Sequence, residues 1–564
     1  MFDPEIKGLN SVRQLREEGK IKEALQIVLE LEQVDDLSLK ELLSYKLVKA
    51  DLLRLLGNYL DAIEIAKETY KEFQKLGDLL SSIDALLIQA YSYMITFNLT
   101  QCDYLIQQAE NLFKVIKETL AIDLRERETL FVRIKANIHY FKGEIQRSLE
   151  LNIRAYELAK DIGNKEFISV SLNNIASYYY QMKKYDKAIM YAKQAVKVNH
   201  SLTLAVALGT LIDTYVSKGD IKEAKVYLDH LREHSEKFDS KWNKTLFYSA
   251  KALILKSSLR ARDRIKSEDI FKELALDNTV AGESRIYAII DLCDLYLTEL
   301  RITNDPEIIN EIQPYIQKLL NISEDQHLYM YLAETHLLQA KLSLLTLDIK
   351  KAKKLLIQAQ NIAESYGMKR LAMRISYEHD ELLRQTKMWE RLNTSELSLS
   401  KRLELSGLNE QMENMVKKRV IEVPELSDEE PVLLLIVSEG GVPFFSQSFI
   451  EDKSFESHLF GGFLTTIDYF IKEVFSEGLD RAVFGEYTLL MKSVPPFFIS
   501  YIFKGDSYYA LQKVDYFIDH IQSDDSIWKK LLKYFQANQS IQLKDVPLLE
   551  SLITETFIAK KNLF

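Results

Sequence analysis

The stretch ASYYYQMKKYDKAIMYAKQAVKV, residues 176–198, decides the fold. Ala176 and Ala188 stand twelve positions apart across the polar turn KKYDKA (Lys183 to Ala188), and Ala195 follows seven later. Small residues spaced this way about a turn let two helices cross closely, while the ring of Tyr179 fills the gap beside them. The turn recurs as GKIKEA (Gly19 to Ala24), GNYLDA (Gly57 to Ala62), GEIQRS (Gly143 to Ser148) and GDIKEA (Gly219 to Ala224). Degenerate copies end at Cys102 and Ala352. Its final small residues, at 24, 62, 102, 148, 188 and 224, recur about every 40 residues, the length of one helical hairpin.

Alignment on that final residue extends the match beyond the turn. Twelve positions earlier stand Ala50, Ala90, Ala136, Ala176, Ile212 and Ala340. Nine earlier stand Leu53, Tyr93, His139, Tyr179, Tyr215 and Ser343, and seven later Thr69, Ala109, Ala155, Ala195, Leu231 and Ala359. In these features the chain resembles the tetratricopeptide repeat family, with units longer than the usual 34 residues. The resemblance covers about residues 10–390. From 235 to 325 the turn is poor, and continuation there rests on helical periodicity.

The resemblance implies an α-solenoid whose first helices line a concave face. Counting from the alignment, the middle of the array presents Arg133, Asn137, Tyr140, Asn173, Ser177 and Tyr180 in adjacent rows. Such groups can hold an extended peptide by its backbone and by stacking, so these six form the expected protein-binding groove. Carboxylate clamps of the chaperone-binding kind need repeated Lys and Arg in these rows. One Arg is too few for that function to be carried over.

Asn393-Thr394-Ser395 offers an N-cap for one polar helix running to about Val420. Pro424 and Pro431 then bracket the acidic run ELSDEE, where the periodicity changes. PVLLLIVSEGGVPFFSQSF reads as two apolar strands about Gly440-Gly441, and residues 455–475 as an amphipathic helix. RAVFGEY, TLLMKSV and FFISYIFKG read as three more strands, followed by helices near 508–521, 527–536 and 548–559. The order ββ-α-βββ-αα resembles the longin/roadblock group of profilin-like domains. That likeness implies binding of a small GTPase or a trafficking or signalling partner. Gly461 and Gly462 inside the amphipathic helix cost about 1 kcal/mol each against alanine, which close packing on the sheet or close approach of a partner would offset. They are the expected interface of this longin-like helix.

The expected organisation is therefore mainly α: a tetratricopeptide-like solenoid over 1–393, a capping or connecting helix over 394–421, an acidic linker over 422–430 and the longin-like domain over 431–564. Residues 431–564 hold 12 basic and 17 acidic side chains, so the chain's net −10 divides evenly between this part and the rest. Charge gives the two parts no reason to dock, and each is expected to fold alone.

Composition excludes several function classes. With 73 Lys and Arg against 83 Asp and Glu and no basic block, nucleic acid is not an expected partner. Only 18 Gly and 9 Pro in 564 residues argue against a strand-and-turn architecture. Cys102 and Cys293 are far apart in helical patterns, which excludes a disulfide framework and points to a reducing compartment, and no apolar run is long enough for a membrane span. A cytoplasmic location is expected. No phosphate loop, dinucleotide turn, zinc-protease helix or nucleophile elbow is present. His230 and His234 share a helix face, yet no third ligand is near in sequence, so they read as a solvated pair. No catalytic residue, metal or cofactor is expected, and the reading is a non-enzymatic adaptor. The rival reading is a sensor whose C-terminal domain, similar to PAS or GAF domains, binds a small molecule.

Overall fold

A computed structural model describes the chain apart from residues 1–5, 97, 120–122, 143, 238–240, 278–279, 281, 326, 393–396, 417–424, 439–442, 451–480, 538 and 559–564. Helical hairpins run through the first four hundred residues, including the poorly patterned stretch, where helices span Lys241–Lys256, Ala261–Leu276, Gly282–Thr303 and Glu307–Asp325.

The recurring turn has one physical cause. Among the described residues, the position five before the aligned small residue is left-handed: Gly19 (φ 82°), Gly57 (φ 86°) and Gly219 (φ 86°). Lys183 (φ 57°) and Leu347 (φ 59°) adopt the same conformation without glycine's freedom. At these turns the next N–H closes a bond five residues back, as in Asn58 to Leu53 O, Lys184 to Tyr179 O, Asp220 to Tyr215 O and Asp348 to Ser343 O, all 2.9 Å. These bonds satisfy carbonyls that a helix end would otherwise leave unpaired. The aligned small residues are then buried at the crossing: Ala50, Ala62, Ala136, Ala155, Ala176, Ala188, Ala195 and Ala359 have no exposed surface. Beside them Tyr179 stacks on Tyr191 and Tyr215 on Tyr227, with ring centroids 5.5 and 5.6 Å apart.

The chain divides into two compact units, residues 1–335 with 362–369 and 403–421, and residues 336–361 with 370–402 and 422–564. In the first, the array coils back on itself. Arg16, on the helix Leu9–Glu17, donates to Glu166 on Lys165–Gln181 at 2.9 Å, and Ser201 Oγ donates to Glu17 O at 3.1 Å. A side chain at Gly19 would come within 3.0 Å of Leu202, so glycine's lack of a Cβ serves this approach as well as the turn. The single polar helix expected before the acidic run is instead two, Leu399–Leu405 and Leu408–Val416, because Gly407 takes a left-handed φ of 64° between them.

The second unit contains one five-stranded antiparallel sheet. Its strands are β1 (Glu430–Ser438), β2 (Pro443–Ser448), β3 (Arg481–Phe484), β4 (Tyr487–Val494) and β5 (Phe497–Lys504), in the order β2-β1-β5-β4-β3. Leu434, Ile436, Phe497 and Ile499 face the helices Ser507–Ser523, Asp525–Gln536 and Pro547–Ile553 through Phe517, Leu531 and Leu549. Leu433, Leu435, Leu489, Phe498 and Ile502 form a second cluster from the alternate positions. The central β5 is buried on both faces, which explains why its residues from Phe497 to Phe503 are apolar or aromatic except Ser500. The amphipathic helix expected over 455–475, with Gly461 and Gly462, lies outside the described residues.

Within the second unit, residues on either side of the expected boundary are docked on one another, against the expectation that charge gives them no reason to dock. Arg481 of β3 donates from Nη1 to Asp380 (3.2 Å) and Ser376 (3.0 Å) on the helix Lys369–Arg384, and both charged side chains are buried. Asp380 also accepts from the N–H and Oγ of Ser507, at 2.8 and 2.7 Å. Arg384 reaches Asp506 at 2.6 Å, and Asp506 accepts from the Ser427 N–H at 2.7 Å. Net charge missed this contact because it uses a few specific pairs rather than opposed surfaces. The acidic run is also held: Glu429 is buried against Lys513 and Tyr501.

Candidate functional site

The first unit encloses a cavity of about 2970 Å³. Its wall carries eleven basic and nine acidic side chains, a small positive excess in a chain of net −10. Small-molecule pockets measure about 300–1,000 Å³, and this volume exceeds that range.

At its centre lies a group of charges contributed by four hairpins. Asp51 and Arg54, one helical turn apart on Leu39–Leu55, are joined at 2.5 Å, and Arg16 reaches Asp51 at 3.2 Å. Arg54 also lies over the ring of Tyr91, 4.4 Å from its centroid. Burial works against ionisation of Asp51, but Arg54 and Arg16 outweigh it and hold its carboxyl below the usual range. Glu166 is engaged by Arg16. Two carboxylates therefore balance two of the three guanidiniums, and the third belongs to Arg133.

Arg133 is 9% exposed on the helix Arg125–Lys142, and its Nε has no hydrogen-bond partner. Its neighbour is the Phe167 ring, 5.5 Å away. Burial, against only the partial help of Tyr91 and Glu166, lowers its pKa. Asn173, at the equivalent position of the next hairpin, has a buried, unpartnered Oδ1, and His200, following the next helix, a buried, unpartnered Nδ1. Burial likewise lowers the pKa of His200. All three residues line the cavity. Native interiors leave few polar atoms unpaired, so these three are sites of incomplete satisfaction behind the wall.

Of the six groove residues expected from the sequence, Arg133 and Asn173 are on this wall. The others are not among its lining residues. Asn137 donates to Met94 Sδ at 3.1 Å, Tyr140 donates to Gln181, and Tyr180 shares a 3.1 Å bond with Ser217. These three bonds link neighbouring hairpins. Ser177 is half-buried and off the wall. Arg16, Glu166 and His200 escaped sequence reasoning because coiling of the array, rather than the repeat, brings them to the site. Asp51, Arg54 and Tyr91 occupy the expected rows and could have been found there.

The tetratricopeptide repeat family matches residues 126–199. Those residues take in the helices Ile145–Asp161, Lys165–Gln181 and Tyr185–Val198 and nearly all of Arg125–Lys142, two hairpins of the array. No curated protein matches the chain. Among solved structures, the apo form of RapI is 17% identical, with a TM-score of 0.34 over 50% of this chain and 94% of that one. A Rap protein complexed with competence and sporulation factor is 16% identical, with a TM-score of 0.38 over 65% and 99%. The human IFIT1 dimer with PPP-AAAA is 14% identical, with a TM-score of 0.33 over 71% and 92%. Among the described residues no three His, Cys, Asp or Glu gather as metal ligands would, and no helix is long and apolar enough to cross a membrane.

Proposed function

We propose that the chain is a cytoplasmic adaptor that works by binding rather than catalysis, taking an extended segment of a partner protein into the cavity of its helical array. The observation that carries this reading is the cavity of about 2970 Å³ in the helical array, whose wall includes Arg16, Asp51, Arg54, Arg133, Glu166 and Asn173. The C-terminal sheet, with a hairpin at one edge and a three-strand meander returning beside β1, fits the longin-like element order. On that likeness it serves a small GTPase or a comparable signalling partner. The test of the first binding function is a display of random nine-residue peptides against the full chain, repeated with Arg133→Gln/Asn173→Ala. Recovery of the same peptides by both proteins sinks the cavity assignment. For the second, the full chain is titrated with small GTPases loaded with GDP or a GTP analogue, and absence of binding in both states removes that partner class.

A further inference from the structure

The helices Lys241–Lys256 and Ala261–Leu276 are joined by Ser257-Ser258-Leu259-Arg260, away from the cavity wall. Leu259 is 98% exposed, and Ile265, early in the second helix, is 58% exposed. Around them stand Arg260, Arg262, Arg264 and Lys266, and among the described residues none of these four side chains makes an ion pair or a hydrogen bond. Arg262, Ile265 and Lys266 share one helix face, at spacings of three and four. The acid inside the run, Asp263, accepts a 2.8 Å bond from Ser258 Oγ and so closes the turn, while exposed Asp269 ends the basic face. Residues 259–266 thus hold four basic side chains and one acidic in a chain of net −10. Ion pairing within the chain does not use these cations, and packing does not use Leu259.

An occupant of this surface has to supply negative charge and an apolar medium together. An anionic bilayer does both, since its headgroups take cations at the surface and its acyl chains, just beneath, take an apolar side chain. An acidic protein offers the charge alone here: two protruding aliphatic side chains without a continuous apolar patch do not make the desolvated, pocket-filling centre of a protein interface. A fluid lipid layer needs no matching pocket. We propose that this turn docks on an anionic lipid surface, with Leu259 entering the acyl boundary and Arg260, Arg262 and Lys266 meeting the headgroups. The negative charge carried by the rest of the chain turns its other faces away from such a surface and so orients the approach. Binding is peripheral and reversible, because one inserted Leu with a short basic cluster falls short of a stable anchor. The cavity and the C-terminal sheet take no part in it.

The test is sedimentation of the full chain with vesicles of phosphatidylglycerol and phosphatidylcholine in equal parts, at increasing lipid. The chain binds these vesicles, does not bind pure phosphatidylcholine, and is released as salt is raised. Arg262→Gln/Lys266→Gln weakens binding about 10- to 30-fold, the loss expected for two cations near an anionic surface. Leu259→Ser weakens it about 10- to 100-fold by removing the inserted side chain. All three positions are exposed, so circular dichroism of the variants should match the parent. Lys67→Gln/Lys71→Gln removes the same charge from exposed positions four apart on Tyr59–Leu76 and leaves binding intact. Equal weakening by the two double variants would show diffuse attraction and overturn the proposal. Full binding by Leu259→Ser would overturn it as well, since charge alone would then suffice. Displacement of the vesicles by polyglutamate at matched charge would assign the surface to an acidic polypeptide instead, and failure to sediment with the mixed vesicles would remove the lipid surface altogether.

Discussion

Arg481 and Arg133 are two buried arginines held in opposite ways. Arg481 lies between β3 and the helix Lys369–Arg384, where Asp380 and Ser376 meet its guanidinium and Ser507 completes the coordination of Asp380. Arg133 lies on the cavity wall with an aromatic ring beside it and an Nε without a partner. Burying a charge costs several kcal/mol unless partners replace water. The first site has those partners, while at the second a ring and a buried Nε without a partner stand in their place. The difference sets a paired buried cation against an incompletely satisfied one.

The largest effect expected from this contrast is at Asp380. Replacing it with Ala strands Arg481 in a dry contact and frees both Ser507 donors, so the second unit loses about 3–5 kcal/mol. Urea denaturation followed by fluorescence of Trp528, which packs on the sheet core, measures it. Asp380→Ala/Arg481→Met should recover part of the loss, since an apolar pair needs no charge compensation. Absence of any loss in the single variant would show that the sheet does not depend on this junction.

Asp51→Ala is next, at about 2–3 kcal/mol, because Arg16 keeps Glu166 as a partner while Arg54 keeps only the Tyr91 ring. This site also gives the sign of a pH effect. The folded-state pKa of Asp51 is lowered, so its contribution is complete above the usual aspartate range and fades as pH falls below about 4. The wild-type array should therefore lose stability on acidification more steeply than Asp51→Ala. Parallel acid profiles would show that Asp51 is not ionised in the fold.

The hairpin register was legible in the sequence for a reason that limits what else could be read. Close helix crossing demands small residues at fixed offsets, so Ala176 and Ala188 signal themselves, and both are fully buried. Ala188→Leu should overpack its hairpin and cost about 1–3 kcal/mol, read as a lowered melting temperature. An unchanged melt would mean that the crossing lies elsewhere. The site was less legible. Two of six expected groove residues reach the cavity, because the repeat fixes which face a residue occupies but not how tightly the array coils. Arg16 meets Glu166 across 150 positions, and Arg481 meets Asp380 across 101. Neither meeting leaves a local pattern in the chain.

The smallest effect has the opposite sign and isolates the contrast best. Arg133→Met removes a buried guanidinium that has no carboxylate to lose, and puts a flexible apolar chain of similar length against Phe167. Where Asp380→Ala abandons a charge, this change abolishes one. The array should gain up to about 1 kcal/mol, because an unsatisfied buried polar group is destabilising and its replacement by an apolar side chain is neutral or better. Differential scanning calorimetry of the full chain resolves a shift of that size when it falls in the array's transition. Peptide capture by the cavity should weaken in the same variant, so stability rises as affinity falls, the trade expected where a residue is kept for a ligand rather than for the fold. A clear loss of stability on Arg133→Met would place Arg133 with Arg481 as a structural cation, and the distinction between the two regions would disappear.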